Sequence, residues 1–268
     1  MSTKKLHNFL IENKGKIHNR ILIGTPVTGV VRVEWMNGRY GQVIPTNWSH
    51  VDYQQWINSS MPLGFSVADA ENLLAKAVVE GDYEWFLSYE HDNIPPQDAF
   101  IKINNYMIKG DVPVVCGIYF TKSVPPEPLI YREAGRGHFA DWKMKDKVWA
   151  SGIPFGFTLI HGSLIKALWE ESPEYMCNGV LTRRVFNTPA EGWNDPEAGG
   201  YLSSHGTSDL AWCKRLMDDK IFEKAGWPEF QKKEFPFLVD TSIFVKHIDN
   251  HTGVQYPINL PKDFLEGK

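Results

Sequence analysis

The sequence predicts an α/β fold in which a mostly parallel, Rossmann-like central sheet is flanked by helices, with a smaller antiparallel part in the second half. Three observations predict it. Compact apolar runs recur at "RILIGTPV" (20–27), "YEWFLSYE" (83–90) and "DVPVVCGIYF" (111–120), each fit for a strand covered on both faces. Helical patterns lie between them, so the order strand, helix, strand, helix, strand implies parallel pairing through crossovers. The 268 residues, 43% of them hydrophobic, can bury the core of a single α/β unit.

Residues 1–18 are polar and predict a short helix or arm outside that core. "RILIGTPV" is a buried strand closed by Gly24, Thr25 and Pro26. The piece from Val31 to Trp56 mixes strand-like and polar segments. In "GFSVADAENLLAKAVVEGD", Ser66 is the expected N-cap, Leu73, Leu74, Ala77 and Val78 form one apolar stripe, and Gly81 ends the helix. "YEWFLSYE" is the next strand, and "PPQDAFIKINNYMIKG" a helix with proline in its first turn. After "DVPVVCGIYF", residues 121–150 read as a long excursion with strands of its own. "SGIPFGFTLIHGSLIKALWE" is a strand running into a helix from about Ser163. Residues 187–206, rich in Gly, Pro, Asn and Ser, read as a long functional loop. "TSDLAWCKRLMDDK" is an amphipathic helix with Leu210, Cys213, Leu216 and Met217 inward, and "FLVDTSIFVKHIDN" a last strand ending at His247 and Asp249.

The net charge of -4 and pI near 6.1 give no general attraction to nucleic acid or anionic membranes. No window holds the roughly 18 consecutive apolar residues of a membrane span. The N-terminus lacks the apolar region of a signal peptide, and Cys116, Cys177 and Cys213 show no CxxC spacing. These features predict a chain of a reducing compartment, in the cytoplasm of its own organism or of a virus host. Ten Trp can fill the core or present platforms to flat ligands.

Ligands on parallel sheets sit at the carboxyl ends of strands, where "GTP" (24–26) and "EHD" (90–92) both fall. Alternation puts Glu90 and Asp92 on one side of an extended chain and turns His91 aside. Two hard oxygen ligands suit Mg²⁺ or Mn²⁺, and a histidine such as His247 favours Mn²⁺. A solvated polar turn accounts for the same acids. Asp209, opening a helix after the Gly/Ser-rich segment, is a candidate general base or an ordinary first-turn residue.

From about residue 20 to 250 the order of these motifs resembles glycosyltransferases with the type A (GT-A) fold, family 2-like, of the compact kind found in phages and environmental genomes. "ILIGTPV" stands where that family has its nucleotide-binding turn, "ADAEN" resembles its acidic-Ala-x-Asn helix, and "YEHDNIPP" its Asp-x-Asp metal motif. "GIPFGFTLIHGSLIKAL" resembles the Gly-rich segment lining donor and acceptor sites, "SDLAWCKRL" the helix start carrying the base, and "VDTSIFVKHID" the last strand with its metal-binding histidine. Three positions depart from the pattern: Glu90 replaces Asp, Ser208 stands where many members have a second acid, and the arginine often found just before the helix Asn is missing at Asn72.

The resemblance implies a hexosyltransferase moving a sugar from a nucleoside diphosphate sugar to a carbohydrate or other hydroxyl acceptor. Residues 19–268 would be one catalytic domain, with a nucleotide-binding part to about 120 and an acceptor and closing part at about 121–255. Glu90, Asp92 and His247 would hold Mn²⁺ or Mg²⁺. Thr25, Pro26, Asp69, Asn72, His91, Gly152, Phe155 and Gly156 would line the donor. Asp209 would act as base in an inverting transfer, with His205 as a second candidate, and Trp149 and Phe155 would stack on sugars. Residues 187–206 would close over the donor. Two other readings stand beside it: a sugar-phosphate nucleotidyltransferase, whose basic Gly-rich loop is poorly matched by "GTPVTGVVRVEW", and a non-catalytic carbohydrate-binding protein on a degenerate transferase scaffold.

Overall fold

A computed structural model describes residues 21–27, 29–48, 54–56, 66–133, 137–195 and 200–258; for 54–56, 190–195 and 200–205 it describes the backbone alone. The expected arm at 1–18 lies outside these residues. In chain order the elements begin β1 (Ile21–Thr25), α1 (Val33–Tyr40), β2 (Gln54–Trp56), α2 (Val67–Glu80), β3 (Trp85–Tyr89), β4 (Asn93–Ile94), α3 (Ala99–Lys109) and β5 (Val114–Ile118). There follow β6 (Lys147–Ala150), β7 (Phe157–His161), α4 (Gly162–Glu171), the hairpins β8 (Glu174–Cys177)–β9 (Val180–Arg183) and β10 (Ala190–Asp195)–β11 (Gly200–His205), and α5 (Ser208–Asp218). Short helices α6 (Ile221–Lys224) and α7 (Pro228–Gln231) lead to β12 (Phe237–Phe244), β13 (Lys246–Ile248) and β14 (Gln255–Tyr256).

Seven strands form one mixed sheet in the order β2-β1-β3-β7-β5-β12-β6. β1 pairs in parallel with β2 and β3, and β5 with β12, while β7 and the edge strand β6 run antiparallel to their neighbours. Strands β1, β3 and β5 are buried at every position, as their unbroken apolar runs require. The Ser66 hydroxyl accepts from the Asp69 amide at 3.1 Å to start α2, and Gly81 caps its end. Gly24 lets α2 lie against β1, because a Cβ there would come within 2.6 Å of Leu74.

The structure corrects the expected order at four places. β3 and β5 are not neighbours: β7 inserts between them in reverse, since "GFTLI" is apolar enough for an interior position whichever way it runs. Residues 33–40, read as mixed strand and polar chain, are helical; only Trp35 and Arg39 are buried there, too thin a stripe to reveal the period. Residues 187–206 form the β10–β11 hairpin around residues 196–199, which lie outside the described residues. Pro95 and Pro96 sit in the turn before α3, which starts at Ala99 with Asp98 at its N-cap.

Two features carry β12 to the site. Its pairing with β5 slips between Asp240 and Phe244, and the Val245 amide then donates to the Ile118 carbonyl at 2.8 Å. Beyond it β13 pairs with β4, aligning His247 with Asn93, and the Ile248 amide donates to the Asp92 carbonyl at 2.7 Å. Gly117 makes the slip possible, because a Cβ there would meet Ile243 and Val245 atoms at 2.9 Å. Gly117→Ala should therefore destabilise the protein by about 1–3 kcal/mol in chemical unfolding. An unchanged unfolding midpoint would show that β12 accommodates the methyl.

Candidate functional site

The carboxyl ends of β1, β3 and β5 converge with β13. Just past β3, the Asp92 carboxylate receives the Lys122 ammonium at 2.6 Å on Oδ2, and the His247 Nε2 atom faces the same oxygen at 3.3 Å. Its Oδ1 accepts from the Asn93 amide at 2.8 Å. Burial opposes ionisation of Asp92, but His247 and Lys122 outweigh it and hold the carboxyl well below the usual carboxylate range. His247 Nδ1 lies 2.8 Å from the Phe120 carbonyl oxygen, which can only accept, so the ring proton belongs on Nδ1. Nε2 is then the ring atom turned toward the carboxylate oxygen.

A carboxylate and an imidazole converge, and the imidazole gives its other N–H to a backbone carbonyl, the usual outer support of a histidine ligand. Asp92 and His247 therefore fit Mn²⁺ or Mg²⁺, hard cations that keep waters and substrate oxygens in their remaining positions. Glu90 lies beside them: the Asn93 amide that donates to Asp92 also reaches the Glu90 Oε2 atom at 3.5 Å. Burial, followed by the fields of Asp92, Glu71 and Asp209, pushes the Glu90 carboxyl well above the usual range. Among the described residues no three His, Cys, Asp or Glu side chains gather as a metal cluster.

Beside Asp92, a cleft of about 390 Å³ is lined by Val30, His91, Asp92, Lys122, Asp249, Asn250 and His251. His91 turns aside as the alternation predicts, its Nδ1 3.0 Å from the Pro26 carbonyl, which ties the ends of β1 and β3 together. Thr25 is buried at the end of β1. Gly156 packs beneath the site: its amide donates to the Tyr119 hydroxyl at 2.8 Å, and its carbonyl receives the Glu90 amide at 2.9 Å. A Cβ at Gly156 would lie 2.5 Å from the Asn93 amide nitrogen, so glycine is needed there.

Asp209 opens α5, and its Oδ1 accepts the Leu210 amide at 2.8 Å. Burial raises its proton affinity, opposed by hydrogen bonds from Thr207 and from the Leu210 and Phe155 amides. Gly152 leaves room for Leu210, which would sit 2.9 Å from a Cβ. Glu90 feels both Asp92 and Asp209, which links the cleft to this buried acid group.

Other expected site residues have structural surroundings. Phe155 is buried among Phe186 and Trp212, with ring centroids 5.6 and 5.0 Å away, so it packs the core rather than presenting a face. Trp149 packs on Phe230, with the Lys233 ammonium 4.0 Å from its ring. Asn72 is buried and fully engaged: its amide donates to the Phe186 carbonyl at 2.9 Å and the Tyr175 hydroxyl at 3.0 Å, and its carbonyl accepts the Phe186 amide at 2.8 Å. Asp69 receives the Tyr175 and Ser66 hydroxyls at 2.7 and 2.9 Å. The side chain of His205 lies outside the described residues. Lys122 and Glu71 were missed from the sequence. A lone lysine four residues past a strand and a carboxylate on a helix stripe carry no local pattern.

No family model matches the chain, and no curated protein does. Among solved structures it is similar in fold to A197 from STIV, with 16% identity, a TM-score of 0.50, and 86% of this chain and 87% of that one covered. Among the described residues no helix is long and apolar enough to cross a membrane.

The engagement of Asn72 yields a prediction. Asn72→Ala strands the Phe186 amide and carbonyl in the core and should cost about 2–4 kcal/mol of unfolding free energy. A change below about 0.5 kcal/mol would show that the clamp is dispensable.

Proposed function

We propose that the protein is a divalent-metal-dependent glycosyltransferase of GT-A type that moves a sugar from a nucleoside diphosphate sugar to a hydroxyl acceptor with inversion. One observation carries this reading: at the carboxyl ends of parallel strands His247 converges with Asp92, which lines an open cleft together with Lys122. The strand order supports it, because reversed β7 between β3 and β5 leaves the ends of β1, β3 and β5 free to share one crevice. The A197 likeness supports the fold alone.

In this reading Asp92 and His247 hold Mn²⁺ or Mg²⁺, which when bound neutralises charge developing on the diphosphate leaving group. Lys122 offers a second positive charge on the same rim and turns from Asp92 to a phosphate oxygen. Thr25, Pro26 and His91 form the floor beside the nucleoside. The acceptor oxygen attacks the anomeric carbon as the bond from that carbon to the diphosphate oxygen breaks. The hydroxyl proton passes to Asp209, and the bonding electron pair leaves with the nucleoside diphosphate. Asp209 suits this duty because its carboxyl is desolvated, and desolvation raises its hunger for a proton.

Hydrolysis and transfer with a panel of UDP-, GDP- and dTDP-hexoses plus Mn²⁺ test the proposal. Asp92→Asn should lower metal-dependent turnover by about 100-fold or more with the melting temperature retained. Asp209→Asn should keep donor binding and lose transfer. Full activity in Asp92→Asn would remove the metal site, and an active Asp209→Asn would remove the base. Nucleotide-independent sugar binding with no turnover would favour the carbohydrate-binding reading.

A further inference from the structure

A second cavity, of about 400 Å³, lies between α3 and the strands β12 and β6 and shares no lining residue with the Asp92 cleft. The helical period brings Lys102, Asn105, Tyr106 and Lys109 to one face of α3. Asp240 and Ser242, two apart on β12, turn toward that face, and Lys147 of β6 stands opposite Asp240 in the antiparallel register. The volume lies within the roughly 300–1,000 Å³ of small-molecule sites.

Charges of both signs around this cavity go unmatched. Asp240 is only 6% exposed, yet among the described residues no cation pairs with it. The Tyr106 hydroxyl donates to its Oδ2 at 2.6 Å and the Ser242 amide to its Oδ1 at 2.9 Å. About two of the roughly four acceptor positions of a carboxylate stay open. Lys102 is engaged, donating to the Ser242 carbonyl at 2.7 Å and pairing with Asp98 at 3.0 Å. Lys109 and Lys147 are exposed, and among the described residues neither has an ion pair. Although its residue stands opposite Asp240, the Lys147 ammonium lies 5.1 Å from the centre of the Tyr106 ring instead. A helix end accounts for Lys109 and a sheet edge for Lys147, but neither accounts for a carboxylate buried without a counter-ion. The lysines oppose the approach of a metal ion or any other cation to it.

We propose that this cavity is a second ligand site, for the phosphate ester of a small polyol such as a sugar phosphate. The phosphate takes Lys109 and Lys147, and a hydroxyl donates to Asp240. A bare anion leaves Asp240 unmatched and a neutral sugar leaves the lysines unmatched; a ligand with both ends satisfies both. The net charge of -4 gives anionic membranes no general attraction, so the ester is a free one rather than a lipid headgroup. The site stands independently of the transferase reading.

Calorimetric titration of glucose-6-phosphate, glycerol phosphate, inorganic phosphate and glucose into the full-length protein tests it. At least one ester should bind, inorganic phosphate more weakly, and glucose not at all. The double variant Lys109→Ala/Lys147→Ala should weaken the ester by about 10-fold or more, and the exposure of both lysines preserves the fold. Asp240→Asn separates the two ends: without the negative charge inorganic phosphate should bind more tightly, and the advantage of the ester over it should shrink. Asp92→Asn should change none of these affinities. Vesicles of phosphatidylcholine with phosphatidylinositol phosphate should leave the protein in solution.

No binding of either ester, or ester binding unmoved by the double lysine variant, overturns the proposal. Ester binding lost in Asp92→Asn assigns the ligand to the other cleft and overturns it as well. An ester no tighter than inorganic phosphate in the wild-type protein overturns the polyol end, and decides that point should Asp240→Asn not fold. Pelleting with the vesicles that depends on the two lysines moves the ester onto a headgroup and overturns the free ligand.

Discussion

The site depends on where the His247 ring keeps its proton. The Phe120 carbonyl can only accept, so Nδ1 donates to it at 2.8 Å and Nε2 is left facing Asp92. Nothing local to "VKHID" fixes that orientation. It follows from the slip of β12 against β5, the absence of a side chain at Gly117, and the pairing of β13 with β4, which brings His247 beside Asn93. Residues more than 150 positions apart are locked by two short antiparallel strands and one amide-to-carbonyl bond from Ile248 to Asp92. A carboxylate and an imidazole held this way ask for positive charge between them, and Lys122 already supplies some from one side.

Four carboxyls, those of Glu71, Glu90, Asp92 and Asp209, lie close enough to influence one another, and burial sorts them. Asp92 has the cations and stays ionised. Glu71 and Glu90 have acidic neighbours and little water, which pushes both carboxyls up. Asp209 lies between these limits, desolvated but supported by the amides at the start of its helix. Groups driven apart in proton affinity by their surroundings are how one small site can hold an anion-binding end and a proton-accepting end.

Much of this was legible in the sequence, and the remainder was not for definite reasons. The strands at 21–25, 85–89 and 114–118 and the helix capped by Ser66 follow from periodicity and capping chemistry that act within a few residues. The antiparallel course of "FGFTLIH" did not, because a fully buried strand has the same composition in either direction. Asp92 and His247 were nameable as strand-end residues, yet their encounter depends on register. Glu90 was nameable in the same way, because it alternates with Asp92. Its desolvation among Glu71 and Asp209 is a product of packing from α2 and α5 that no local pattern announces. Asn72 and Phe155 show the same limit: a polar residue and an aromatic near a site are as easily taken up by the core.

The central claim is that Asp92 and His247 form a cation site shared with a nucleoside diphosphate. Calorimetric titration of Mn²⁺ into the protein, with and without saturating UDP, GDP or dTDP, measures that linkage directly. The account predicts that one of these nucleotides tightens Mn²⁺ binding and that Mn²⁺ tightens the nucleotide by the same factor, with the coupling lost in His247→Ala. Mn²⁺ and nucleotide binding that ignore each other, or coupling that survives the loss of His247, would contradict it.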